Sequence, residues 1–151
     1  MELTHLDESG NARMVDVSEK PKVKREAWAT GKVYLQNNTV DLVRKGLMKK
    51  GDVLAVARIA GITAAKRTFE LIPLCHQIAL DHVAVDFDFF DGGVDIRTYV
   101  VCRDRTGVEM EALTAAAVAG LTIYDMCKAV DKSITISEIT LEAKIKTDLE
   151  A

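Results

Sequence analysis

The order of elements predicted along the chain, β, α, α, β, β, α, β, is that of an α+β ferredoxin-like βαββαβ sandwich, a four-stranded antiparallel sheet with helices on one face. Two features set that order. Asp91-Gly92-Gly93 reads as a tight hairpin between two strand-like arms, since glycine supplies the positive φ such turns need. Alanine-rich stretches with helical spacing stand on either side of the hairpin, and the first helical connection is split in two.

Met1 to Arg13 is polar with a turn cluster at Asp7-Glu8-Ser9-Gly10-Asn11, which predicts a flexible N-terminal arm over 1–13 and a single domain over 14–151. Met14-Val15-Asp16-Val17-Ser18 is a short apolar-polar alternation. Val23 to Gln36 suits a half-buried first strand, with Gly31 marking a bulge. Asn37-Asn38-Thr39 then offers capping oxygens to a short helix whose buried side is Val40, Val43 and Leu47. Asp52 is placed to cap a second helix from Val53 to about Leu71, packed through small side chains and stopped by Pro73. Leu74-Cys75-His76-Gln77 falls in its exit loop.

Ile78–Phe90 and Val94–Arg103 form the hairpin arms. Val83, Val85, Phe87 and Phe89 lie on one face of the first, and Asp86 and Asp88 on the wetter one. Thr106-Gly107 breaks the chain before a long helix from Val108 to about Val130, and Ile134, Ile136, Ile139 and Leu141 mark a last strand. The Ala/Gly-rich helix face permits close approach of a partner element, and with a partly apolar second sheet face it predicts a homo-oligomer.

Composition narrows the function. The chain is 48% hydrophobic but 5% aromatic, with net charge -3, so it lacks the stacking platforms and general basicity of a nucleic-acid reader. Its cations are bunched at Lys20 to Arg25, Arg44-Lys45, Lys49-Lys50 and Lys66-Arg67, local positive pockets that suit a small anion. Cys75, Cys102 and Cys127 are odd in number and unpaired in spacing, which predicts reduced thiols and a cytoplasmic setting. No leader and no bilayer-length apolar run is evident.

Asp125 and Lys128 are the first candidates for chemistry, because an i,i+3 spacing brings their heads onto neighbouring turns of one helix face. Such pairs are common on surfaces, but here Ala, Ile, Met and Cys surround them and leave few other groups to solvate the charges. Burial at a subunit seam would lower the lysine pKa toward the range of proton exchange. His76 sits beside Cys75 in a loop after a proline. Two ligands without a second pair do not make a zinc site, so no metal is expected and a ligand hydrogen bond is the better use of the imidazole. His5 and His82 carry no predicted role. Glu109-Met110-Glu111 opens the long helix, where the dipole favours acids. The two glutamates point about 200° apart, so at most one faces a given pocket, where it could accept from the N–H groups of a guanine-like ring. Lys49-Lys50-Gly51-Asp52 puts ammonium groups on a turn at a helix start, suited to phosphate, without a Walker A pattern.

Long motifs then resemble one family. They include Lys50-Gly51-Asp52-Val53, Ala57-Arg58-Ile59-Ala60-Gly61-Ile62, Leu71-Ile72-Pro73-Leu74-Cys75-His76, Gly107-Val108-Glu109-Met110-Glu111-Ala112-Leu113-Thr114 and Leu121-Thr122-Ile123-Tyr124-Asp125-Met126-Cys127-Lys128. By these the chain is similar, over nearly its whole length, to the cyclic pyranopterin monophosphate synthase family of molybdenum cofactor biosynthesis. The resemblance implies a lyase without redox cofactor, in a hexamer built as a trimer of dimers with sites at a dimer seam. Its implied substrate is 3′,8-cyclo-7,8-dihydro-GTP from an upstream radical enzyme, converted to the pyranopterin with loss of pyrophosphate. It implies Asp125 and Lys128 as catalytic, with Lys50, Leu74, Cys75, His76, Glu109, Met110 and Glu111 in the substrate site. On this basis Lys128 is expected to carry protons, Asp125 to orient it, Glu111 to anchor the base, and Lys50 with Lys20, Arg25 and Lys66 to neutralise phosphates. The chain departs from the family at Gln77, where proline is usual, and in its tail, where Lys144 or Lys146 replaces a Lys-Ser-Gly-Gly-Lys-type run or that phosphate contact is missing. The competing expectation is a ferredoxin-like regulatory module that binds a nucleotide without turning it over.

Overall fold

A computed structural model describes residues 4–149, so residues 1–3 of the expected arm lie outside the described residues. The sheet comprises β1 (Val23–Tyr34), β2 (Leu80–Phe90), β3 (Gly93–Asp104) and β4 (Thr135–Thr147), and the helices are α1 (Asn37–Arg44), α2 (Val53–Lys66), α3 (Thr68–Leu71) and α4 (Glu109–Cys127). The strand order is β2-β3-β1-β4 and every pairing is antiparallel. This is the α+β ferredoxin-like sandwich that the element order predicts.

Alternation along β1 and β3 turns Ala27, Ala29 and Val33, with Val94, Ile96 and Val100, toward the helices, where all are buried. Ile123 of α4 is fully buried among them, and a side chain of that size contributes about 2–3 kcal/mol by burial. The small residues of α2 and α4 allow close packing. A Cβ on Gly61 would lie 3.0 Å from the Ala115 carbonyl oxygen and 3.5 Å from the Ala119 Cβ, so a larger residue there would push the helices apart. On the far face of the sheet Trp28 stacks on Tyr99 with ring centroids 4.7 Å apart, and the Tyr99 hydroxyl donates to Glu26.

Five local expectations are corrected or refined. The Asn37-Asn38-Thr39 oxygens do not cap α1: Gln36 is the N-cap and makes no side-chain cap bond. Its N–H instead donates to Asp131 Oδ2 at 2.8 Å, a buried carboxylate that also accepts from Ser133 N–H and Oγ. Leu47 lies beyond α1 and is exposed. The helix predicted to run from Val53 to Leu71 breaks at Arg67, where Thr68 Oγ1 donates to the Ala64 and Ala65 carbonyls and diverts acceptors from the continuing helix. Gly31 does mark an irregularity, but the extra residue belongs to β4. Between Thr30 and Lys32 the partner strand passes from Thr140 to Ser137, with Glu138 at φ 54°, and the Ile139 side chain fills the space where a Gly31 Cβ would stand. The last strand continues to Thr147, which makes Lys144 and Lys146 strand residues instead of a tail.

Other signals hold. Asp52 caps α2 by accepting from the Ala55 N–H at 3.0 Å, and Asp91-Gly92 turns β2 into β3 with Gly92 at φ 95°. Residues 5–13 fold around Asp7, whose Oδ1 accepts from the Ser9 and Asn11 N–H groups, and Leu6 bridges to Ala12.

Candidate active site

The long helix α4 organises the predicted site residues into two groups, one at each end. At its N-terminal end a cavity of about 340 Å³ is lined by Leu74, Cys75, His76, Glu109, Met110 and Glu111. The exit loop after α3 brings in the first three, because Pro73 ends the helical run just before them. The first turn of α4 brings in the others. Both glutamates face this cavity, against the expectation that only one could. Glu109 is the first residue of the helix and sits at its open end over Gly107, so the cavity wraps around the helix terminus instead of lying along one side.

The two glutamates differ in environment. Glu109 receives Lys144 Nζ at 3.0 Å and is partly exposed. Glu111 is 4% exposed, and burial pushes its carboxyl up to about 7, opposed by its own backbone N–H and reinforced by the charge of Glu109. It is therefore a carboxyl able to give or take a proton near neutrality, a property the sequence pattern did not reveal. Cys75 is half-buried, and burial followed by the neighbouring Glu111 charge raises its thiol, which keeps it protonated and unreactive. His76 Nε2 lies 2.7 Å from the Val15 carbonyl oxygen.

Most of the remaining wall comes from the N-terminal segment, through Thr4, His5, Val15, Val17 and Lys20, with Ile78, Thr106 and Gly107 completing it. His5, to which the sequence assigned no role, is thereby placed at the cavity. No local spacing announces this, because the segment reaches the site only through tertiary contacts.

At the other end of α4, Asp125 is held between two ammonium groups. Lys128 Nζ lies 2.7 Å from Oδ1 and Lys50 Nζ 3.0 Å from Oδ2. Lys50 Nζ also donates to the Asp125 carbonyl oxygen at 2.9 Å, satisfying an acceptor in the last turn of the helix. Cations gathered there complement the negative end of the helix dipole. Sequence reasoning put Lys50 on a phosphate turn. The fold makes it also a partner of Asp125, a pairing over 75 residues that no local spacing reveals.

This cluster is exposed: the side chains of Asp125 and Lys128 retain 58% and 55% of their accessible surface. The expected lowering of the lysine pKa is absent in the single chain. Hydrogen bonds from Lys128 and then Lys50 push Asp125 down to about 2, and the bond to Asp125 moves Lys128 up from its ordinary value. A carboxylate in contact stabilises the ammonium and outweighs the slight desolvation within the subunit.

Glu111 and Asp125 are both on α4, and at 1.5 Å per residue they stand about 21 Å apart along the axis. The cavity group and the ion cluster of one subunit therefore do not touch each other. A second cavity, of about 280 Å³, adjoins the first through Gly107 and Glu109 and contains Arg25, Lys144 and Lys146. Lys66 ends α2 as an exposed residue lining neither cavity. Among the described residues no three His, Cys, Asp or Glu side chains are grouped to hold a metal ion, and no helix is long and apolar enough to cross a membrane.

The MoaC family model matches residues 14–147, a span that includes both ends of α4 and every predicted site residue. The chain belongs to the MoaC family. A relative from Thermomicrobium roseum named "Cyclic pyranopterin monophosphate synthase" is 60% identical over 145 residues, covering 95% of this chain and 87% of that protein. Another of the same name, from Chloroflexus aurantiacus, is 58% identical over 145 residues, covering 95% and 89%. The family domain also occurs within a larger chain. The "Molybdenum cofactor biosynthesis bifunctional protein" of Chlorobaculum tepidum is 54% identical over 144 residues, 95% of this chain but 46% of that protein.

Proposed function

We propose that this member of the MoaC family is a cyclic pyranopterin monophosphate synthase. It is a lyase of molybdenum cofactor biosynthesis that takes 3′,8-cyclo-7,8-dihydro-GTP, made by an upstream radical enzyme, to cyclic pyranopterin monophosphate and pyrophosphate. One observation carries the reading: Leu74 to His76 and Glu109 to Glu111, far apart in sequence, line one cavity next to a second that holds Arg25, Lys144 and Lys146. A purine-derived ring and an attached polyphosphate ask for that division, acceptors and a proton-exchanging carboxyl beside a basic recess.

The catalytic centre is assembled from two subunits. The cavity residues of one subunit meet Lys50, Asp125 and Lys128 of another, because 19-residue α4 separates the two groups within a chain. The apolar side chains left exposed on α2 and α4, among them Val56, Ile59, Leu121 and Tyr124, favour such packing. The assembly is a hexamer, a trimer of dimers, in the cytoplasm, with one catalytic domain over 14–151 and an arm over 1–13.

In this centre Lys128 moves protons as the purine ring opens and recloses, oriented by Asp125. A partner surface that covers the pair desolvates the ammonium and brings its proton within range of the ring nitrogens. Glu111 holds the base and, with a carboxyl poised near neutrality, exchanges a proton with it. His76 and Met110 complete the wall around the ring. A ribose hydroxyl gives up its proton to water as its oxygen attacks the α-phosphorus, the bond from that phosphorus to the bridging oxygen breaks, and pyrophosphate leaves carrying the negative charge. Lys20, Arg25 and Lys144 stabilise that charge as it develops. Arg25 has a buried Nε with no partner among the described residues, a donor left over for an anion. Lys50 shares Asp125 with Lys128 and adds a further positive charge.

Incubation with the cyclised nucleotide tests this directly. Pyrophosphate and, after oxidation, pterin fluorescence are expected. Binding without either product would mark a regulatory nucleotide module instead.

A further inference from the structure

His76 is tied to the protein through one ring nitrogen. Nε2 meets the Val15 carbonyl oxygen at 2.7 Å, and Nδ1 has no partner among the described residues. A carbonyl can only accept, so Nε2 carries the proton, and in the neutral ring Nδ1 then bears a lone pair. The stretch containing Val15 is anchored on both sides. Upstream, the Arg13 N–H donates to the His5 carbonyl at 2.9 Å and the Asp7 turn closes the preceding loop. Downstream, Ser18 N–H and Oγ donate to Asp16 Oδ1 at 2.9 and 2.6 Å, and Arg105 Nε donates to the Lys20 carbonyl at 3.1 Å. Between these anchors Val15 and Val17 line the same cavity as His76.

We propose that Val15 is a positioning residue for His76: its carbonyl fixes the imidazole so that Nδ1 is offered to the ligand as an acceptor for an N–H or O–H of the base or sugar. This rests on the reading of the cavity as the substrate site. A lone pair repels phosphate oxygens, so His76 recognises the ring system and not the polyphosphate. The N-terminal stretch becomes part of the recognition machinery, and its carbonyl does what a second side chain does in many histidine sites.

The test is NMR of the full chain with ¹⁵N-labelled histidine near pH 7.5. The chain has 3 histidines, so His5→Gln and His82→Gln variants assign the His76 signals. A slowly exchanging Nε2 proton on His76 with an unprotonated Nδ1 is expected. A rapidly exchanging Nε2 proton, or a proton on Nδ1, would overturn the proposal, and neither outcome depends on turnover, so the enzymatic reading is judged separately. The Val15→Gly/Val17→Gly pair loosens the stretch. It is expected to expose the Nε2 proton to exchange and to raise KM about tenfold, the loss of roughly one hydrogen bond, with kcat little changed. A folded variant that keeps both the protected proton and the original KM would refute the role of Val15. If the variant does not fold, the wild-type spectrum alone decides.

Discussion

The two ends of α4 present opposite environments for the same kinds of group. At the N-terminal end a glutamate is sealed from water and its carboxyl rises to about 7. At the C-terminal end an aspartate lies open between two ammonium groups and falls to about 2. Burial without a partner raises an acid, and cationic partners lower it. In the proposed reading, one subunit then contains a finished recognition pocket and an unfinished catalytic cluster, whose lysine is still a stabilised ammonium. What finishes the cluster in this account is a second subunit laid over it.

The sharpest break of the comparison is at the open end. Lys128→Ala is expected to lower kcat by about a thousandfold or more, the scale of a lost general acid–base group, with the oligomer unchanged by size-exclusion chromatography. Substantial residual turnover would remove this lysine from the chemistry.

At the closed end Glu111→Gln separates stability from activity. The Glu111 carboxyl is raised from 4.5 to about 7 on folding, so the unfolded chain releases its proton first and the native state loses stability as pH rises through that window. Above it the cost is roughly 3 kcal/mol. The glutamine variant is expected to melt higher than wild type at pH 8, to show little difference at pH 4, and to bind substrate less well. An equal stability change at both pH values would contradict the buried, raised carboxyl.

His76→Ala is a smaller perturbation, expected to raise KM about tenfold with a lesser effect on kcat, as loss of one ligand hydrogen bond does. Unchanged affinity would exclude the imidazole from recognition. The smallest expected effect tunes the open end: Asp125→Asn removes the carboxylate that stabilises the Lys128 ammonium, so the alkaline limb of the pH–activity profile moves to lower pH. A limb that stays in place would show that another group titrates there.

Much of the fold was legible in local chemistry. Asp52 with its cap bond and the Asp91-Gly92 turn depend on neighbours within a few residues, and period-2 burial in β1 follows from alternation. Two of the errors share a cause in distant partners. Asp131 takes the Gln36 N–H across 95 residues and makes the nearby asparagine oxygens unnecessary as caps, and pairing with β1 carries β4 on through Lys146. In the site, the i,i+3 pair Asp125–Lys128 was readable from spacing, and the family resemblance supplied the cavity residues. Neither could show that Lys50 clasps Asp125 or that the N-terminal stretch holds His76, since each is a property of packing.

Mixing inactive chains is the most direct trial of a centre shared between subunits. Lys128→Ala chains and His76→Ala chains are co-expressed so that mixed oligomers form, and turnover is measured at substrate well below KM, where the first are nearly inactive alone and the second keep about a tenth of the wild-type rate. Random pairing leaves one intact centre in each mixed dimer, so activity is expected to return to about one quarter of the wild-type value. Activity no greater than that of the two variants measured separately would place both residues in one chain's site and contradict the account.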